Sequence, residues 1–151
     1  MSDILPDIKT VVIKVITDKP VRKTPYQVKG VIMRKHADST IVPMLNGSYR
    51  NKFLYPRVQV KILNEQIYII GVNEGIDSVI AISEMLKELD FGNITFSIDK
   101  FEIEEYKEQF ISCDSIFKYR FITPWVALNK VTSSQYRLLN EKKKEAYLNR
   151  L

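Results

Sequence analysis

Residues 44–61 read MLNGSYRNKFLYPRVQVK, and within them Asn46 and Asn51 supply amides, Ser48 and Tyr49 hydroxyls, and Arg50, Lys52 and Lys61 positive charge. Tyr49 and Tyr55 set aromatic faces beside those cations. Groups of these types hold and orient phosphates and stack bases, which is the chemistry of single-stranded nucleic acid binding. The amides and the serine do not exchange protons near neutral pH. A plain surface loop rich in turn formers has much the same composition. The chain's only histidine, His36, lies upstream, where it closes the stretch MRKH. Its imidazole is the natural acid or base at neutral pH, and Arg34 and Lys35 beside it can clamp a phosphate. A capping or surface role is the ordinary alternative for such a residue.

A chain of 151 residues can bury a real core and form one generous domain, or one domain plus part of another. The single cysteine, Cys113, excludes an intrachain disulfide, fits a reducing compartment and is read as a packing residue. The N-terminal stretch MSDILPDIK has no basic leader, and apolar runs such as IYIIGV are far short of a membrane span. The expectation is a cytoplasmic protein with no membrane partner. No metal or other cofactor is expected. Residues 1–36 carry eight basic and three acidic side chains, residues 76–113 three and nine, and residues 114–151 eight and three. Two basic ends therefore flank an acidic middle, which suits a protein that turns one face to a polyanion.

Local patterns give the elements that must position these groups. TVVIKVIT (10–17) is β-branched and reads as a strand. Thr24 and Pro25 open a helix whose apolar face is Val28, Val31 and Ile32, with Gly30 in its middle. VQVKILNEQIYIIGV alternates, turns at NEQ and returns as a hairpin. Val79, Ile82, Leu86 and Leu89 share one helical face in a helix predicted to stop at Gly92. ITFSIDKFEIEEY alternates through Ile94, Phe96 and Ile98, then Phe101 and Ile103, as a long strand with an acidic outer face. The predicted class is α+β, a ferredoxin-like β-α-β-β-α-β domain over residues 1–113. Residues 114–151 are read as the first strand and helix of an incomplete second ferredoxin-like unit: a strand ending at Pro124, Trp125 packed as structure, and a helix from about Ser133. EKKKEAYLNR is read as a solvated helical face on which Lys142 to Lys144 are candidate phosphate contacts.

Three stretches, YPRVQVKILNEQIYIIGVNEG (55–75), YRFITPWVALN (119–129) and, more weakly, VKGVIMRKH (28–36), resemble the CRISPR repeat-processing endoribonucleases of the RAMP superfamily, subtype-B branch. The resemblance runs from about residue 24 to 151 and implies a protein that binds precursor CRISPR RNA. The family cuts each repeat without metal, by attack of a ribose 2′-hydroxyl on the neighbouring phosphate, which needs a base, an acid and fixed positive charge. Its members carry a His-x-His pair shortly before the Tyr-Pro strand. Aligned on Tyr55-Pro56, those places fall on or near Asn46 and Ser48.

The resulting expectation is an RNA-binding protein for repeat RNA with cleavage weak or lost. Its surface comprises Lys29, Arg34, Lys35, His36, Asn46, Ser48, Arg50, Lys52 and Lys61. An active metal-independent endoribonuclease is the alternative, with His36 as base or acid, Lys35 or Arg50 stabilising the phosphorane, and Tyr49 or Tyr55 positioning. A third reading is a module that completes its sheet with a partner strand near 117–123. The expected partners are CRISPR repeat RNA, other CRISPR effector subunits and a second copy of the chain.

Overall fold

The computed structural model describes residues 6–49 and 55–109, together with 115, 116, 118, 120, 134, 135, 137–140, 143 and 144. The chain divides into two compact units, Met1–Asp114 and Ser115–Leu151. The first is built from strand β1 (Ile8–Thr17), helix α1 (Pro25–Lys35), helix α2 (Ile41–Asn46), strands β2 (Val58–Leu63) and β3 (Gln66–Val72), a 3-10 turn (Asn73–Gly75), helix α3 (Ile76–Met85), and strands β4 (Glu88–Asp90) and β5 (Thr95–Glu108). The strands form one five-stranded sheet in the order β2-β3-β1-β5-β4, with every neighbouring pair antiparallel. This is the expected ferredoxin-like plan, with α2 and the short β4 added.

Period-two alternation sends Val11, Ile13 and Val15 of β1, Val58 and Val60 of β2, and Ile67 and Ile69 of β3 to one face. Val28, Val31 and Ile32 of α1 and Val79 and Ile82 of α3 cover that face, and all of these residues are buried in one cluster. Removing such a side chain to alanine costs roughly 2–5 kcal/mol, whereas the exposed ion pairs around the unit contribute about 1 kcal/mol or less each. The core therefore decides stability and the ion pairs decide local order.

β5 contains the one irregularity of the ladder. Ile16 pairs with Lys100 but Thr17 pairs with Ile98, so Asp99 is an extra residue in a bulge. The bulge absorbs the three-residue step from Ile98 to Phe101 in the sequence pattern.

One expectation is corrected. The helix predicted within 74–92 to stop at Gly92 ends at Met85, where the Leu86 N–H closes the last turn on the Ile82 carbonyl at 2.9 Å and Leu86 itself is extended (ψ 115°). Leu89 is buried as predicted, but from β4, where it pairs with Phe96. Gly92 makes the β4–β5 reversal rather than a helix stop: its φ is +86°, and its N–H donates to Asp90 Oδ1 at 2.7 Å. A spacing of three serves both the last turn of a helix and a strand beyond a one-residue bend.

In the second unit, residues 134, 135 and 137 are helical, 138–140 form a turn and 143 and 144 are helical again. The Asn140 side chain accepts from the Lys143 N–H at 3.1 Å, and its carbonyl accepts from the N–H groups of Lys143 and Lys144 at 3.0 Å. The helix predicted from Ser133 is thus interrupted at 138–140, because Asn140 starts a new turn by capping it. Cys113, the strand near 117–123, Pro124, Trp125 and Lys142 lie outside the described residues, as does the rest of the expected second ferredoxin-like unit.

Of Gly30, Gly71, Gly75 and Gly92, Gly75 has the least room for a side chain. A Cβ added there would stand 2.3 Å from the Arg57 carbonyl oxygen, which is backbone and cannot step aside cheaply. Gly75→Ala is expected to lower stability by about 1–3 kcal/mol or more through overpacking. Urea denaturation of the purified variant checks this, and an unchanged midpoint would contradict the close approach.

Candidate nucleic-acid interface

α1 begins with a reciprocal cap. The Thr24 Oγ1 accepts from the Gln27 N–H at 3.2 Å while Gln27 Oε1 accepts from the Thr24 N–H at 2.9 Å, and Pro25 stands at the first helical position. The last turn carries Arg34 and Lys35, whose charge suits the exposed carbonyls of a helix C-terminus. Lys35 Nζ pairs with Glu88 of β4 at 2.7 Å, and Arg34 Nη2 donates to the Asp90 carbonyl at 3.4 Å. Lys29 lies roughly 140° around the helix from Arg34 at 100° per residue. The basic residues of α1 therefore occupy two flanks rather than one patch.

His36 is the C-cap of α1. Its N–H donates to the Ile32 carbonyl, and its own carbonyl accepts from Ser39. The side chain lines a cleft with Asp38, Ser39, Thr40, Ala81 and Met85, and its Nε2 is buried with no hydrogen-bond partner. The capping alternative noted for His36 describes its backbone.

α2, which the sequence reading did not contain, ends at Gly47 in the left-handed conformation (φ 78°). Asn46 Oδ1 accepts from the Ser48 N–H at 2.8 Å, closing an Asx turn, and both residues are exposed. Tyr49 turns back: its phenolic oxygen accepts from the Arg57 N–H at 2.9 Å. Tyr55 is 69% exposed and reaches only Gln59, at 3.4 Å. Arg50 and Lys52 lie outside the described residues. Lys61 is exposed on β2 but alternates with Val58 and Val60, so it stands on the sheet face away from α1, in register with Tyr68 and, across β3, Lys14. The structure places Lys61 apart from the other expected contacts.

Arg57 ties these pieces together. Its carbonyl accepts from the Val72 N–H at 2.8 Å and its Nε donates to Glu74 Oε1 at 2.8 Å. The Glu74 carboxyl is held below the usual range, first by its own backbone amide and then by the Arg57 guanidinium. A carboxylate with a depressed pKa adds stability above its unfolded value and loses it as pH falls through the folded one. The Arg57–Glu74 contact is therefore intact at neutral pH.

Among the described residues no group of three or more His, Cys, Asp and Glu side chains could hold a metal ion, and no helix is long and apolar enough to cross a membrane. Sequence reasoning missed a groove between α1 and the β4–β5 turn, lined by Lys23, Tyr26, Arg34, Phe91 and Asn93. Its one sequence signal is the mid-helix Gly30, which leaves the α1 wall open.

An antiparallel β-α-β-β-α-β sheet covered on one face by helices defines the ferredoxin-like class. Residues 6–109 match the family model of the Cas6b N-terminal domain, and the chain belongs to that family. This agrees with the resemblance read from residues 28–36, 55–75 and 119–129. The chain is also similar to a solved structure described as the crystal structure of Cas6b, with 27% identity and a TM-score of 0.65, covering 96% of this chain and 67% of that one. A second, described as the crystal structure of CRISPR RNA processing endoribonuclease Cas6b, shares the fold at 22% identity and a TM-score of 0.55, covering 96% of this chain and 63% of that one. The chain thus spans about two thirds of the length of these relatives. No curated protein matches it significantly.

Two outcomes follow for the Arg57 junction. Tyr49→Phe removes the acceptor for the Arg57 N–H and should cost about 1 kcal/mol in denaturant titration. Glu74→Gln should destabilise the protein at pH 7, and the difference should shrink as pH falls below the ordinary glutamate value near about 4 and vanish only below the lowered folded-state value, as thermal melts across pH would report.

Proposed function

We propose that the chain binds CRISPR repeat RNA and cuts it slowly or not at all. Membership of the Cas6b family supports the RNA, and a relative of known structure is described as a CRISPR RNA processing endoribonuclease. The observation that carries the second half is the chemistry at 46–48. The places of the family's histidine pair fall on or near Asn46 and Ser48, and the hydrogen bond from the Ser48 N–H to Asn46 Oδ1 shapes a turn. The shielded Nε2 of His36 supports the same reading. The binding residues in this proposal are Arg34, Lys35 and Lys29 on α1, Asn46 at the end of α2, Ser48, Arg50 and Lys52 beyond it, and Lys61 as a separate contact on the sheet face away from α1, with Tyr49 and Tyr55 positioning.

A cytoplasmic setting and assembly with a second copy or another effector subunit belong to the same proposal. Beyond Ser97, β5 has a ladder partner on only one side among the described residues, which supports pairing with a further strand.

Incubation of pure protein with repeat RNA in EDTA should give a retained complex with little product. Affinity should fall with salt at a log-log slope of about −0.7 per phosphate neutralised on a single strand. Asn46→His or Ser48→His should raise metal-independent cleavage, up to the roughly 10²- to 10⁴-fold that a well-placed acid or base supplies. Brisk wild-type cleavage in EDTA that is abolished by His36→Ala with affinity intact would overturn the proposal and make His36 the catalyst.

A further inference from the structure

The groove between α1 and the β4–β5 turn has a volume of about 360 Å³, inside the range of about 300–1,000 Å³ in which small ligands are held. Three features of it are unexplained by the fold. Tyr26 stands at its rim 83% exposed, although tyrosine has a large apolar body that folding normally covers. Lys23 lies over the Phe91 ring at 5.0 Å from the centroid, and neither Lys23 nor Arg34 has an acidic partner among the described residues, while Arg22, Lys35 and Arg57 each do. No carboxylate lines this groove. Finally, Gly30 forms part of its wall from the middle of α1. A mid-helix glycine is about 1 kcal/mol worse than alanine, yet a Cβ added at Gly30 would meet nothing within 4 Å. Packing does not require a glycine there.

Phe91 makes an edge-on contact with the buried Phe96, with centroids 5.6 Å apart. An aromatic rim, two cations with no acidic partner among the described residues and the exposed amide of Asn93 match the parts by which proteins hold an unstacked nucleotide: a ring for the base, charge for the phosphate, an amide for a base edge.

We propose that this groove is a pocket for one unstacked nucleotide of single-stranded RNA, with its base on Tyr26 and its phosphate between Lys23 and Arg34. The inference rests on the RNA-binding reading above and adds a contact on the Phe91 side of α1, away from the segment after α2. Cations with no acidic partner among the described residues favour RNA over a protein partner as the occupant.

The test uses fluorescence anisotropy of the full chain with two probes, a CRISPR repeat RNA and an unrelated oligouridylate, on wild type, Tyr26→Ala and Gly30→Glu. Tyr26 is exposed and Gly30 has open space, so circular dichroism should show both variants folded. Each variant should weaken repeat RNA binding roughly 5- to 100-fold, the worth of one base stacked on an aromatic ring. Ultraviolet crosslinking should attach RNA to the peptide containing Tyr26. If wild type binds the repeat and both variants match it, the groove is not an RNA pocket, while the proposed function stands. If wild type prefers no repeat but the variants weaken oligouridylate, the groove stands and the repeat reading falls. Binding of neither probe overturns both. Unchanged RNA affinity together with lost binding of a protein at this groove would assign it to a protein partner instead.

Discussion

The approach of Gly75 to the Arg57 carbonyl is the contact on which the first unit depends. It lets the 3-10 turn after β3 lie on the start of β2, and that places the N-terminus of α3 over the sheet. The same Arg57 carbonyl takes the Val72 N–H, its guanidinium holds Glu74 and its amide holds Tyr49. One residue thus fixes the end of the polar segment, the edge of the sheet and the start of a core helix. The ion pair contributes little by itself. Its effect is to make three backbone positions agree, which a single buried side chain would not do.

Much of this architecture is legible in the sequence because it follows from period. The alternation of β1, β2 and β3 and the apolar stripe of α1 each point one way, and local capping agrees with them. Even the bulge at Asp99 is written as a skipped beat between Ile98 and Phe101. What escapes is what period cannot encode. Leu86 and Leu89 keep a helical spacing after the backbone has left the helix, since burial sees the side chain and not the chain trace. α2 is six residues long, too short for a period to declare itself, although Pro43 in its first turn and Gly47 after it were available signals. For the candidate interface, residue types were readable but their directions were not. Arg34, Lys35 and His36 are consecutive, yet the first faces the β4–β5 turn, the second meets Glu88 and the third tucks its ring toward α3.

Charge is distributed by element rather than evenly. α1 and the loop before it are basic, and the outer part of β5 is acidic, with Glu102, Glu104, Glu105 and Glu108 all exposed. Lys100 and, less strongly, Lys14 hold the Glu102 carboxyl below its usual range, while Glu104 beside Tyr106 raises that phenol. The far part of β5 repels a polyanion, whereas α1 and the loop before it attract one.

The β2–β3 hairpin carries a further consequence. Its two turn residues, Asn64 and Glu65, both have positive φ (50° and 60°), a conformation that Asn tolerates and Glu adopts at a cost of roughly 1–2 kcal/mol. Glycine would avoid that cost but has no carboxylate. Glu65 spends the strained turn on a clasp: its carbonyl takes the Val21 N–H at 2.8 Å, and its carboxylate takes Arg22 at 2.7 Å. Val21 is buried, so the segment leading into α1 is anchored to the tip of a hairpin more than forty positions later in the chain. A slip of the hairpin by one residue would turn Glu65 to the other face and release that anchor. The hairpin tip is therefore a gauge that registers strand pairing and sets where the basic helix begins.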